Sequence, residues 1–418
     1  MTPDQKYAHA RTFPVHVGVD TSKQFHVVVA RGPDGFRKKP YRVNVSREGF
    51  DACDRYLTEL FPDVPRNRML IGLEFAGHHG FTFAFDLARR GYEVVNVLPS
   101  VTKKTKEIED NSPLKTDAKD AALICSLTGE GKFVRFPFLK TPFAELRVLT
   151  SNRHRLTVEE TRFKNRLQGV LDLAWPEFQA LFSTIAKPTP LAILSRWPLP
   201  ADLLAARPST VYAHVRKASR NVYGREKVDR LIQSARESVA LTQASDERRM
   251  EIQGILARWR LVRRQIAELD AKIAERVADH APAQALMSIP EIGATAAATL
   301  LAELGTLADY EHPRQVLKLA GLNLYEKSSG QSRGRVKQTK RGRPMLRRQL
   351  YLLATRWCKR RGLYRDYYEA MKARNGGPSV KAFSAIARKL VPLLLAVAKS
   401  GEPFDEARWR AARHRAAA

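Results

Sequence analysis

The pattern of apolar positions changes character about a third of the way along the chain. Up to about residue 141 it comes in short, β-branched blocks separated by turn residues. VHVGVD at 15–20, FHVVVA at 25–30 and YRVNV at 41–45 read as three strands of a meander, with Asp20 ending the first. A helix follows from Arg47 to Leu60, with Ser46 in the N-cap position. MLIGLE at 69–74 reads as a buried strand that ends on a carboxylate, Glu74. Gly77 and Gly80 punctuate a turn, a helix runs to Arg90, and YEVVNV at 92–97 is a further strand. Strands alternating with helices argue an α/β domain with a partly parallel sheet. The stretch 115–122 opens another helix, and residues 1–13 read as a polar leader.

Beyond Pro142 the period becomes helical. Leu146, Leu149, Leu156, Phe163, Leu167 and Val170 recur at heptad spacing. The seam Ile252, Ile255, Trp259, Val262, Ile266, Leu269 and Ile273 alternates steps of three and four, as a coiled coil does. Its partner is either the 146–170 segment of the same chain or a second copy. Pro-containing sequence between 175 and 208 breaks into shorter elements. MSIPEIGAT at 287–295 and the apolar run to Leu304 fit a helix-hairpin-helix, whose second helix presents backbone N–H groups suited to a phosphate. Apolar-faced helices at 345–358 and 379–398 close the chain. The expected divisions are an α/β domain at 14–141, a helical coiled-coil linker and dimerisation region at 142–280, a mainly α domain at 281–400 and a basic tail at 401–418.

Charge narrows the function. The 418 residues carry a formal net charge of +29, which points to nucleic acid. It is uneven: residues 1–142 hold 22 Lys+Arg against 17 Asp+Glu, and the rest holds 50 against 26. Most of the polyanion-binding surface is therefore expected in the later two thirds. Three scattered cysteines form neither a disulfide framework nor a zinc spacing, which suits a reducing compartment. There is no apolar signal core, and the apolar run Leu390–Ala398 is too short to cross a bilayer. The expectation is a soluble, cytoplasmic protein with no membrane partner.

The most basic stretch is AGLNLYEKSSGQSRGRVKQTKRGRPMLRRQLY at 320–351. It breaks at Ser328-Ser329-Gly330 and then carries Arg333, Arg335, Lys337, Lys340, Arg341, Arg343, Arg347 and Arg348 with no acid among them. So basic a Gly-rich loop cannot be core, and its cations can neutralise phosphates. The serines either form a turn or act on a phosphate. Four carboxylates stand apart. Asp20 and Glu74 end strands, at the sheet edge where α/β folds place sites, and Asp117 and Asp120 share one face at a helix start. Together they could supply hard oxygen ligands to Mg2+ or Mn2+. The plainer alternative is that Asp117 caps the helix and Asp120 pairs with a nearby lysine such as Lys119 or Lys115.

GVDTSKQFHVVV at 18–29, GLEFAGHHG at 72–80 and LKTDAKDAALI at 114–124 resemble the three acidic motifs of the DEDD transposases of insertion-sequence family one-ten, which includes the Piv-type DNA invertases. MSIPEIGATAAATLLAELG at 287–305 and the 320–351 stretch resemble that family's C-terminal transposase domain. The resemblance implies an RNase H-like (RuvC-like) N-terminal domain, with Asp20, Glu74, Asp117 and Asp120 as magnesium ligands. It implies Ser329, the hydroxyl before Gly330, as a nucleophile that forms a transient phosphoserine link to DNA. It also implies a composite site often shared between protomers, a homodimer or dimer of dimers, donor and target DNA, and a structured bridge RNA that pairs with both. The same resemblance implies that the protein is bacterial and nucleoid-associated. Leu324 stands where the family often has Pro, and Gln338-Thr339-Lys340 replaces an Ile-Ser-Lys segment. Two rivals remain: a RuvC-like junction nuclease that uses only the carboxylates, and a non-catalytic nucleic-acid-binding protein. The 176–245 stretch resembles nothing in the family.

Overall fold

Strand β1 (Val15–Thr21) is the centre of the first part of the chain. It pairs antiparallel with β2 (Phe25–Arg31) on one side and parallel with β4 (Met69–Glu74) on the other. β3 (Tyr41–Asn44) lies outside β2, and β5 (Glu93–Val97) lies parallel beyond β4. A short antiparallel β6 (Val134–Arg135) completes the order β3-β2-β1-β4-β5-β6. The structure, a computed structural model, describes residues 1–75, 77–109, 116–136, 138, 141–326, 334, 336–360, 362–374, 376–377, 380–407 and 409. It falls into two units, residues 1–138 and 139–418, each described here by itself.

The alternation of side chains decides what covers each sheet face. Val15, Val17, Val19, Ile71 and Leu73 point to the face packed by α2 (Arg47–Leu60) and α3 (Phe81–Arg89). The helix predicted at 47–60 has those bounds, and Ser46 caps it by accepting the Gly49 N–H at 3.1 Å. The other face carries His16, Gly18 and Asp20 of β1 with Gly72 and Glu74 of β4, and α5 (Asp117–Gly129) lies across it. Gly18 and Gly72 stand side by side. A Cβ on Gly18 would fall 2.1 Å from the Cys125 nitrogen and 2.2 Å from the Ala121 oxygen, so α5 rests directly on the strand backbone.

Residues 1–13 are not a leader. Pro3–Arg11 forms α1, started by a Thr2–Gln5 capping box, and Ala10 and Phe13 are buried with Leu70 and Ile124. A polar helix needs only one buried turn, and so gives little apolar signal in the sequence.

His26 is 1 % exposed between Phe50 of α2 and Phe83 of α3, and its Nε2 has no hydrogen-bond partner among the described residues. Burial, helped by the charge of His79, lowers its pKa from 6.5 to about 4. Between those values the unfolded chain binds a proton that the folded chain refuses. Stability is therefore full above pH 6.5 and declines as pH falls towards 4, by about 2.5 kcal/mol at pH 4.5. Urea unfolding at pH 7 and 4.5 should show this loss, and His26→Phe should remove most of it. Buried His16, whose pKa is also lowered by burial, leaves a residue of the same sign. An equal loss in His26→Phe would assign the acid sensitivity elsewhere.

The second unit is helical. Its long helices α6 (Phe143–Ala174) and α11 (Ser245–Ala278) pack together along their lengths. Between them come α7 (Pro188–Arg196), α8 (Pro200–Leu204), α9 (Pro208–Ala218) and α10 (Arg225–Arg236). Three of these short helices start on Pro, whose missing N–H is harmless in a first turn. They share a core with Leu167 and Leu171 of α6 and with Ile252, Ile255 and Trp259 of α11. The seam residues are thus covered by α6 and the short helices of the same chain, with Ile266 and Leu269 half-buried. A second core gathers Leu146, Ile273 and Val277 with α12 (Ala281–Met287), α13 (Ala294–Leu304), α14 (Pro313–Ala320), α15 (Pro344–Trp357), α16 (Leu363–Arg374) and α17 (Val380–Ser400). Phe404 and Trp409, in the segment expected to be a basic tail, also pack on this core. Among the described residues no helix is long and apolar enough to cross a membrane.

Candidate active site

Asp20 and Glu74 are direct partners in the parallel β1–β4 register, so both project from the α5 face at neighbouring strand ends, about 4.8 Å apart along the hydrogen-bonding direction. Each is half-buried. The Thr21 hydroxyl donates to the Glu74 carbonyl at 2.7 Å and ties the two ends together. The turn after Glu74 folds back on Thr21, with Gly80 in the left-handed region at φ 87°. The His78 and His79 rings lie against each other within that turn, 4.4 Å apart and tilted by 41°.

Helix α5 runs opposite to β1. The Cys125 thiol reaches the His16 carbonyl at 3.2 Å and Gly18 meets Ala121, so the start of α5 lies towards the Asp20 end. Thr116, not Asp117, caps this helix, accepting the Lys119 N–H at 3.2 Å. Asp117 is exposed in the first turn. Asp120 is buried, 8 % exposed, and Lys106 of α4 (Pro99–Glu109) sets its ammonium against the carboxylate. The pairing with a lysine foreseen from sequence is thus present, with Lys106 in place of the suggested Lys119 or Lys115, and residue 115 lies outside the described residues.

These donors are all carboxylate oxygens, the set a hard divalent ion takes. Among the described residues, however, no three Asp, Glu, His or Cys side chains converge as a metal cluster. The arrangement supplies one matched pair, Asp20 and Glu74, and one carboxylate already neutralised by an ammonium. Metal capture by Asp120 therefore requires Lys106 to swing away. Lys106→Met should leave Asp120 buried without its partner and lower stability by about 1–2 kcal/mol in EDTA. Mn2+ should restore more of the melting temperature in the variant than it adds to the parent. Equal responses to Mn2+ in both proteins would make Asp120 a structural anion.

In the second unit the basic stretch splits into two groups. Ser329, Arg333 and Arg335 lie outside the described residues. A hairpin of β7 (Leu324–Tyr325) and β8 (Lys337–Gln338) flanks them in sequence. Lys337, Lys340 and Arg341 are exposed, as is Arg348. Arg343 and Arg347 are half-buried. Arg343 donates to the Glu303 carbonyl, and Arg347 donates to the carbonyls of Ala320 at 2.9 Å and Lys340 at 3.2 Å. Both guanidiniums brace the base of the loop. Main-chain bonds from Thr339 to Asn323 and from Lys340 to Gly321, each 3.0 Å, close it further.

Two family models match the chain. A transposase model of the DEDD type covers residues 17–176, and the model of the transposase IS116/IS110/IS902 family covers residues 283–369. The first spans every strand-end and helix-start carboxylate described above, and the second spans the braced basic loop. The chain belongs to this transposase family. The 44.8 kDa protein of insertion element IS116 from Streptomyces clavuligerus is 27% identical over 94% of this transposase and 96% of its own length. The 43.6 kDa protein of IS110 from Streptomyces coelicolor is 27% identical over 70% and 72%, respectively. The 42 kDa protein of IS900 from Mycobacterium paratuberculosis is 27% identical over 71% and 75%. Neither family model reaches the transposase's segment 177–282, which holds α7 to α11.

Proposed function

We propose that this transposase cuts and rejoins donor and target DNA through a serine–DNA covalent intermediate, guided by a structured RNA of its element. The observation that carries the reading is the register of Asp20 against Glu74 at parallel strand ends, with α5 bringing Asp117 and Asp120 towards the same edge. A mixed sheet that delivers carboxylates to one edge supports the RuvC-like reading of the first unit. Two carboxylates side by side at one sheet edge are the kind of oxygen donors a divalent cation takes, which supports a functional reading of the pair.

In this reading Asp20, Glu74, Asp117 and Asp120 hold Mg2+ or Mn2+, and the exposed Lys337, Lys340 and Arg341 hold strand phosphates, with Arg333 and Arg335 assigned the same role. An ion held by the carboxylates would supply charge stabilisation to a phosphate at the acidic edge. The Ser329 oxygen bonds to phosphorus, the bond from phosphorus to the leaving sugar oxygen breaks, and that oxygen takes up the proton the serine gives to solvent. The phosphoserine keeps the bond energy, so an oxygen of the exchanged strand can reverse the step. Delegating sequence readout to base pairing leaves the protein needing mainly backbone-binding cations, in keeping with the excess of Lys and Arg after residue 142. Strand exchange between two sites further calls for a dimer or a dimer of dimers.

The test is a trapping assay. Purified protein, RNA from the element flanks, labelled donor and target DNA and Mg2+ are combined and resolved on a denaturing gel. A DNA-linked protein band is expected from the parent and from Ser328→Ala, and none from Ser329→Ala. Cleaved DNA without a covalent band, unchanged in Ser329→Ala, would leave a metal-dependent nuclease instead.

A further inference from the structure

We propose that the hollow between the β7–β8 hairpin and helix α17 is a subsite for one unstacked nucleotide of a single-stranded nucleic acid. The hollow encloses about 650 Å³, within the range that holds small-molecule ligands. Its apolar lining is unusual for a surface. Leu324, Tyr325, Val336 and Val380 are exposed by 44%, 38%, 58% and 68%, and all four face this one space. Single exposed apolar residues need no explanation, but several around one hollow mark a binding surface.

Charge selects the occupant. Among the described residues every charged side chain that lines the hollow is a cation, namely Lys337 and Lys340 from the hairpin and Lys381 and Arg388 from α17. The Arg388 Nε is buried and has no hydrogen-bond partner among the described residues, so a donor is left for an acceptor that enters from outside. Lys340 holds a left-handed backbone, φ 52°, fixed by its N–H on Gly321 and by Arg347 on its carbonyl. Strain of this kind persists where the surroundings over-determine it, and ligand clamps are such places. An apolar floor with one aromatic ring and a cationic rim fits a base stacked on Tyr325 with its phosphates on the lysines. A second copy of this chain, itself at +29, would bring more positive charge to the four cations.

The inference rests on the reading that the protein handles nucleic-acid strands, but it requires neither Ser329 nor the acidic residues. Full-length protein would be titrated against fluorescein-labelled oligo-dT, oligo-U and a duplex of equal length, with anisotropy read at several salt concentrations. Tyr325→Ala should weaken single-strand binding about tenfold without changing its salt slope. Lys381→Ala should weaken it and reduce the slope by about 0.7. Duplex binding should move less than twofold in both variants. The tighter of the oligo-dT and oligo-U arms identifies the strand as DNA or RNA. Parental single-strand affinity in both variants, or equal losses on single strand and duplex, would overturn the subsite. So would a changed oligomeric mass with unchanged binding, which would put a second copy in the hollow. If the parent forms no covalent DNA product yet the variants follow the expected pattern, the serine mechanism fails and the subsite stands.

Discussion

Asp20→Asn should reduce DNA strand cleavage by about a thousandfold or more while leaving the melting temperature nearly unchanged. The side chain keeps its shape and its place on β1, so α5 and the sheet are undisturbed. What is lost is one of two carboxylates that the parallel register places side by side. Removing a group that stabilises charge in a phosphoryl-transfer transition state typically costs a hundredfold to a thousandfold, and losing an ion ligand adds to that. Stability should change little, because the amide is isosteric with the carboxylate and the strand pairing is untouched. Cleavage of labelled DNA and a calorimetric melt on the same preparation check both halves. Parental cleavage by Asp20→Asn would remove the acidic pair from the mechanism, whatever the melt shows.

Gly18→Ala should cost unit 1 about 3 kcal/mol or more and abolish cleavage in whatever remains folded. The added methyl would meet the backbone nitrogen of Cys125 and the backbone oxygen of Ala121, and no side-chain rotation can relieve that. Overpacking of a close contact commonly costs 1–3 kcal/mol, and a clash with main chain lies at the upper end. Helix α5 would have to lift from the sheet, carrying Asp117 and Asp120 away from Asp20 and Glu74. Gly169→Ala, on α6 with open space around it, is the control and should stabilise by about 0.5–1 kcal/mol. Circular-dichroism melts of the two variants should therefore diverge in sign. A Gly18→Ala protein that melts with the parent would mean that α5 does not rest on that strand.

The strands around Asp20 and Glu74 are legible because β-branched blocks end sharply on polar residues, and α2 is legible because Ser46 announces its cap. The register of β1 against β4 is not legible, since pairing depends on the crossover through α2 and leaves no local mark. The same holds for Lys106, whose link to Asp120 depends on the packing of α4 against α5. The close approach of α5 to Gly18 is likewise a tertiary fact that the strand sequence does not announce. The seam of α11 shows that a stripe will be covered and is silent on what covers it. Helix α1 was missed because its cap lies in a segment with little apolar content. Arg343 and Arg347 read as phosphate ligands from composition alone, whereas geometry turns their guanidiniums onto main-chain carbonyls, Glu303 of α13 for Arg343 and Ala320 and Lys340 for Arg347.

The pair α6 and α11 joins two separate cores, one around Leu146, Ile273 and Val277, the other around Leu171, Ile252 and Trp259. From Leu146 to Leu171 the helical rise is roughly 38 Å, close to one turn of duplex DNA. Two helices locked side by side act as a gauge that holds the short-helix bundle at a set distance from the C-terminal core. One residue inserted into α6 would turn everything beyond it by about 100° against α11 and break the match. Seven residues added to both helices would lengthen the gauge by roughly 10 Å and nearly restore its phase. Relatives with a longer or shorter reach should therefore differ by matched steps in both helices, never by a change in one alone.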